Sequence, residues 1–299
     1  MTSWQFRLGW WLMAGRLKKQ TAVRLHEELA ITRRSLEKMA LRAKLPADCR
    51  AEPVTIGSLA AEWVIPAHVM DGRAILYLHG GAYCLGSLES HRFLAGYIAD
   101  AAQQRVLLLD YRLAPEHPFP AAVEDATAAV CWLLVAGYAP DTLTLIGDSA
   151  GGGLTMATLL SLRAAGEPLP GTAVCLSPWV DLAGTGDSMT SKRQADVLLT
   201  PELLARYAAL YADGRALTDP LISPMYASLN GLPRLLIQVG ENEILLDDAT
   251  RLAARARAAG IDVTLEVWPQ MVHVWHALAS VIPEGRQAIA RIGEFIRRA

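Results

Sequence analysis

The chain has 299 residues, 52% of them hydrophobic and 19% charged, with a formal net charge of -2. So much apolar material excludes a disordered chain, 23 Gly and 16 Pro exclude a collagen-like or low-complexity one, and near-neutrality excludes a nucleic-acid partner. What remains is a globular protein with ample material for one large core. The average conceals an asymmetry. Residues 1–45 carry ten Lys or Arg against three acids, a net of +7, which leaves -9 on all the rest.

Residues 4–45 read as helical, with no Pro before Pro46 and a break near Gly15. Apolar positions such as Leu25, Leu29, Leu36 and Met39 form one stripe, opposite a charged face. The apolar patch at residues 8–15 is too short to span a bilayer, and no small-residue cleavage site follows it. Cys49, Cys84, Cys131 and Cys175 are scattered, so neither a disulfide framework nor a metal site is expected. Together these features predict a reduced, cytoplasmic protein.

From residue 54 the pattern changes to short β-rich runs. Residues 54–56 and 60–65 predict a hairpin turning at Gly57 and Ser58. Apolar runs at 74–78, 106–109, 143–146, 173–176, 235–239 and 263–267 then alternate with helical stretches at 90–103, 120–136, 151–165, 247–259 and 286–298. Continuous apolar strands separated by helices predict an α/β fold, an eight-stranded, mostly parallel sheet covered on both faces. Residues 178–233 contain no strand candidate and one helical stretch, 201–211. An excursion of that length reads as an inserted lid.

The chemistry concentrates in a few segments. A strand running into Gly147-Asp148-Ser149-Ala150-Gly151 and then a helix is G-x-S-x-G at a strand-to-helix turn, which exposes the Ser149 hydroxyl. A serine hydroxyl is a poor nucleophile near neutral pH and needs a base oriented by an acid. No histidine lies between Ser149 and His273, which sits with His276 in the loop after the last strand. His276 opens an apolar helical stretch and reads as structural, leaving His273 as the base. Spacing leaves Glu241, Glu243, Asp247 and Asp248 open as the acid. Asp247 and Asp248 also suit the first turn of the next helix. His79-Gly80-Gly81-Ala82-Tyr83 follows a strand, and small residues there let backbone N–H groups turn toward the nucleophile as an oxyanion hole with Ala150. His79 precedes the serine and ends a strand, so it reads as a support for the glycine loop, and Asp148 beside the serine is counted as a supporting residue.

The segments HGGAY, DYRLAPEHPFPAAVED, GDSAGGG, SPWVDL, DPLISP and PQMVHVW together resemble the hormone-sensitive-lipase-like family of α/β-hydrolases, from about residue 74 onward. The resemblance implies Ser149 as nucleophile, His273 as base, Glu243 as acid with Asp247 supporting it, and Gly80, Gly81, Ala82 and Ala150 around the oxyanion. Two positions depart from the family pattern. Glu243 stands where the family carries aspartate, after one extra residue and before Ile instead of Pro, and Ala82 replaces the third glycine. The resemblance implies a core of residues 46–182 and 218–299, covered by a cap of residues 1–45 and 183–217. Tyr83, Trp179, Tyr207, Tyr211, Ile244 and Trp275 are the expected lining of an apolar substrate pocket. The expected function is hydrolysis of short- to medium-chain esters without metal or cofactor. Lactone or amide hydrolysis, or a non-catalytic receptor on the same fold, are the alternatives. Trp4, Phe6, Trp10 and Trp11 beside basic residues match an interfacial helix, which adds peripheral membrane contact as an expectation. Relatives imply a homodimer through the last strand and helix.

Overall fold

The structure, a computed structural model, describes residues 25–40 and 44–298. Helix α1 (Leu25–Ala40) precedes a hairpin of β1 (Arg50–Ile56) and β2 (Leu59–Ile65). Then follow β3 (Ala74–Leu78), α2 (Leu88–Ala102), β4 (Arg105–Leu109), α3 (Ala121–Val135), β5 (Leu143–Asp148), α4 (Ala150–Ala165) and β6 (Thr172–Leu176). The rest is α5 (Ser188–Ser191), α6 (Pro201–Ala212), β7 (Arg234–Gly240), α7 (Leu246–Ala258), β8 (Val263–Trp268) and α8 (Pro283–Arg297).

The strands form one eight-stranded sheet in the order β1-β2-β4-β3-β5-β6-β7-β8. The β1–β2 and β2–β4 pairs are antiparallel and the others parallel, as the alternation of runs and helices predicts. Every strand but β1 starts within one residue of its expected position. β1 begins earlier, at Arg50, because its first half is an exposed edge holding Glu52 and Pro53 and carries no apolar signature.

Each inner strand is apolar on both sides because both sides are covered. Ile75, Tyr77, Val106, Leu108, Ile146 and Val174 face α2 and α8, whereas Leu76, Leu78, Leu107, Leu109, Leu145 and Ala173 face α3, α4 and α7. Successive residues thus alternate between two separate clusters, as the pleat requires. The long connection from β6 to β7 holds α5, α6 and a short 3₁₀ turn at Pro224–Tyr226. Among the described residues it contains no strand, as its composition predicts. Leu29 of α1 is buried and Leu36 packs against the main core, so this part of the basic segment turns its apolar stripe inward. The residues named for membrane contact, Trp4, Phe6, Trp10 and Trp11, lie outside the described residues. No helix among the described residues is long and apolar enough to cross a membrane.

Strand β3 is flanked by β4 on one side and β5 on the other. The order reverses there, and the crevice beyond the carboxyl ends of strands at such a reversal is where open α/β sheets place their sites. The loops leaving β3, β5, β6, β7 and β8 all emerge at that edge.

Candidate active site

The turn between β5 and α4 is the tightest feature of that edge. Ser149 has φ 53 and ψ -120, a region that side-chain-bearing residues seldom occupy, and its N–H is held by the carbonyl of Leu176 on β6 at 2.8 Å. The neighbours have no room for a side chain. A Cβ on Gly147 would lie 2.1 Å from the Gly151 carbonyl oxygen, and one on Gly151 would lie 1.9 Å from that of Leu78. These glycines therefore let β5 enter α4 directly against the end of β3, where the His79 loop begins. The carbonyl of Ser149 accepts from Trp179 N–H at 2.9 Å, which fastens the first residues after β6 to the same turn.

His273 reaches this serine from the loop after β8. Its Nε2 is 2.9 Å from Ser149 Oγ and its Nδ1 is 2.8 Å from Glu243 Oε2, with all three side chains buried. Of the four acids left open by spacing, the structure brings Glu243 to the imidazole. The other Glu243 oxygen accepts from Gly240 N–H at 2.6 Å and from the Ser177 hydroxyl at 2.8 Å. This explains how glutamate fits with the extra residue before it. The longer side chain folds back onto the end of its own strand, while Glu241 N–H and Asn242 N–H are held by the carbonyls of Trp268 and Met271. Gly240 permits the close approach, since a Cβ there would lie 2.5 Å from the Met271 carbonyl oxygen. Ser177 also accepts from Val274 N–H at 3.1 Å, so one hydroxyl positions both the carboxylate and the histidine loop. Burial disfavours a charged His273, but the hydrogen bond and the charge of Glu243 outweigh it and raise the imidazole pKa above its usual value.

Glu241 instead accepts from Gln270 N–H at 2.9 Å. Asp247 accepts from Ser188 N–H at 2.9 Å and so ties down the connection from β6 to β7, while its neighbour Asp248 is fully buried and accepts from Val180 and Asp181 N–H, both at 2.9 Å. Burial pushes the Asp248 pKa up to about 8. Asp247 and Asp248 both stand in the first turn of α7, as expected, with Leu245 as its N-cap. Asp196 joins this set by accepting from Ile244 N–H at 2.9 Å. His276 is buried with its Nε2 2.8 Å from Gln238, and burial lowers its pKa to about 3, consistent with a structural role.

The His79 loop requires one correction. Gly80 N–H donates to Asp148 Oδ1 at 3.0 Å, so it is engaged and does not face an oxyanion. That same oxygen accepts from the Tyr77 hydroxyl at 2.7 Å, and His91 lies 3.6 Å from the other. Burial pushes the Asp148 pKa up, but His91 and these hydrogen bonds outweigh it and hold the carboxyl near about 2. The next three residues, Gly81, Ala82 and Tyr83, have φ 121, 54 and 60. Ala82 thus adopts the glycine-like conformation without being glycine. His79 is stacked on Tyr111 at 4.2 Å and lies 2.8 Å from the Gly80 carbonyl, and burial lowers its pKa to about 3, so it braces the loop as a neutral ring. Gly80→Ala would place a Cβ 2.2 Å from Asp148 Oδ2. It is expected to cost about 2–3 kcal/mol of stability and at least about 10-fold in turnover, read from denaturant unfolding and steady-state rates.

Of the expected lining, Tyr83, Trp179 and Tyr211 come together beside the serine turn. Tyr83 and Tyr211 stack at 3.7 Å, with Trp179 at 6.2 Å from Tyr83, and Phe119 packs edge-on to Tyr211 at 5.9 Å. Tyr207 of α6 is half-buried against the same core. Trp275 falls elsewhere, fully buried in a separate cluster with Met271, Val272 and Ile282, its ring 5.6 Å from Trp268. Ile244 is fully buried in the same main core as Tyr83, Trp179 and Tyr211. For Trp275, a short apolar run does not distinguish packing at a loop start from pocket lining.

Residues 75–277 match a family model described as alpha/beta hydrolase fold. An acetyl-hydrolase of Streptomyces hygroscopicus is 54% identical over 246 residues, covering 82% of each chain. Among solved structures, EstE5 soaked with ethyl alcohol superposes with a TM-score of 0.95 at 45% identity, covering 99% of this chain and 98% of that one. An esterase of the bacterial hormone-sensitive lipase family superposes at 0.92 with 49% identity, covering 96% and 95%. With the sheet order, the serine turn and the HGGA loop in place, these matches show that the chain belongs to the hormone-sensitive-lipase-like family of α/β-hydrolases.

Proposed function

We propose that this protein is a serine carboxylesterase that hydrolyses short- to medium-chain acyl esters through a Ser149–His273–Glu243 triad and a covalent acyl-enzyme. The observation that carries the reading is the unbroken line from Ser149 Oγ through both ring nitrogens of His273 to Glu243, at 2.9 and 2.8 Å. In this reading Ser149 Oγ attacks the ester carbonyl carbon as His273 Nε2 takes its proton. The carbonyl oxygen becomes an oxyanion facing the N–H groups of Gly81, Ala82 and Ala150. Collapse breaks the bond to the alcohol oxygen, which leaves with the proton held by His273. Water then attacks the acyl-enzyme, gives its proton to His273, and Ser149 departs as it regains one. Similarity to an acetyl-hydrolase and to bacterial esterases supports ester substrates. The aromatic wall of Tyr83, Tyr211 and Trp179 beside the serine turn supports a compact acyl group.

A panel of p-nitrophenyl esters of graded chain length tests the reading. The highest kcat/KM is expected for short to medium acyl groups. A maximum at long chains overturns the size assignment, and turnover that survives in Ser149→Ala overturns the triad.

The pH profile is a further expected outcome. The base acts only as neutral imidazole, and Glu243 raises its pKa, so the proton stays on to higher pH. The acid limb of kcat/KM is therefore expected above the ordinary histidine value of about 6.5, with a plateau beyond it. Glu243→Gln should move the residual limb downward, because burial alone lowers the imidazole pKa. A limb that stays in place in that variant would contradict the coupling.

A further inference from the structure

We propose that Arg33 of α1 is a positioning residue for the oxyanion loop, a staple that holds the backbone after Ala82 in its strained form. Its guanidinium donates through Nε to the Cys84 carbonyl at 2.7 Å and through Nη2 to the Ala114 carbonyl at 2.9 Å. It also forms a two-pronged pair with Glu116 at 2.8 and 2.9 Å. Cys84 follows directly on Gly81, Ala82 and Tyr83, three consecutive residues at positive φ of which two carry side chains. Such a run persists only where its surroundings over-determine it. Inside the loop, Cys84 N–H and Leu85 N–H both donate to the Gly81 carbonyl, and Ala114 N–H donates to that of Tyr83. Arg33 closes this pattern from outside, joining the two stretches through their own carbonyls. It does so from a residue 51 positions away in sequence, on a helix that is otherwise part of the basic segment.

The ion pair alone does not explain the arrangement. Glu116 is more than half exposed, and pairs of that kind contribute little. What ties the loop are the two bonds that one planar fork makes through Nε and Nη2 to the backbone carbonyls of Cys84 and Ala114. A lysine ammonium is a point donor without that fork. The consequence for turnover rests on the esterase reading, but the staple itself does not.

The test uses the full chain as Arg33→Ala, Arg33→Lys and Glu116→Gln, with amide hydrogen exchange at Cys84 and Leu85 and steady-state kinetics on a short-chain p-nitrophenyl ester. Arg33→Ala is expected to speed exchange at both amides by at least about 10-fold. It should also lower kcat by about 10- to 100-fold with KM unchanged, the cost of a donor displaced by a fraction of an ångström. Arg33→Lys should recover little of either, and Glu116→Gln should stay near wild type in both. Unchanged exchange in Arg33→Ala, a loss confined to KM, or a Glu116→Gln effect equal to that of Arg33→Ala overturns the proposal. If Arg33→Ala does not fold, Arg33→Lys carries the same comparison. A wild-type chain without ester turnover would sink the esterase reading, and the exchange rates would still decide the staple.

Discussion

Ser149→Ala is expected to lower kcat by about 10⁵- to 10⁶-fold while leaving the fold intact. The loss is large because in the proposed reaction the hydroxyl is the atom that forms the covalent bond, and among the described residues it is the side chain that lies 2.9 Å from His273 Nε2. The fold should tolerate the change because the strain at φ 53 belongs to the backbone, which alanine must adopt as serine does. The turn is held by Gly147, Gly151 and the bonds from Ser149 N–H and to its carbonyl, none of which involves the hydroxyl. The melting temperature is therefore expected within a few degrees of wild type, about what a change of 1 kcal/mol produces in a domain of this size. A variant that melts much lower would mean that the hydroxyl is also a structural group. Titration of wild type with a fluorophosphonate, and its failure to label Ser149→Ala, would locate the nucleophile independently of turnover.

Glu243→Gln should be the next most damaging change, lowering kcat by about 10⁴-fold. An amide facing Nδ1 offers a donor where the carboxylate offered an acceptor, so the imidazole keeps its proton on Nε2 and presents it to Ser149. The base is then in the wrong tautomer. Glu243→Asp should retain more activity, with a loss of about 10- to 100-fold, because the charge remains but the carboxylate retracts by one methylene from three partners at once. Asp247→Asn should change kcat little, since that carboxylate accepts from Ser188 of the connection from β6 to β7 and does not reach the histidine. The ranking of these three variants in steady-state assays, with circular dichroism to confirm folding, is the measurement. Equal losses in Glu243→Gln and Asp247→Asn would show that the loop as a whole, and not one carboxylate, orients the base.

Much of this architecture is legible in the chain because its signals are local. Apolar runs that must be covered on both faces mark the inner strands to within a residue or two, and glycines with no room for a Cβ mark the serine turn. His273 is legible because no histidine lies between Ser149 and residue 273. The rest depends on contacts between distant segments. Glu241, Glu243, Asp247 and Asp248 look alike as a string, and only the path of the chain after β7 sends one to the imidazole, one into the core and two to neighbouring loops. Gly80 reads as an oxyanion donor until Asp148, 68 residues later, takes its N–H. Ser177 carries no mark of its role in SPWVDL, because its partners Glu243 and Val274 come from two later loops. Trp275 shows the reverse error, in which an apolar residue two positions from His273 belongs to a separate packing cluster with Met271, Val272 and Ile282.

The order in which the proposed triad is drawn from the chain also governs when its parts become available during synthesis. Ser149 and its turn are complete once β3, β5 and β6 have assembled, but the base arrives 124 residues later, on a loop that follows β8. A growing chain therefore carries Ser149 without His273 until the outermost parallel strand has been added. On the proposed triad, hydrolytic competence cannot precede completion of the sheet, so an unfinished product of translation holds the serine without its base.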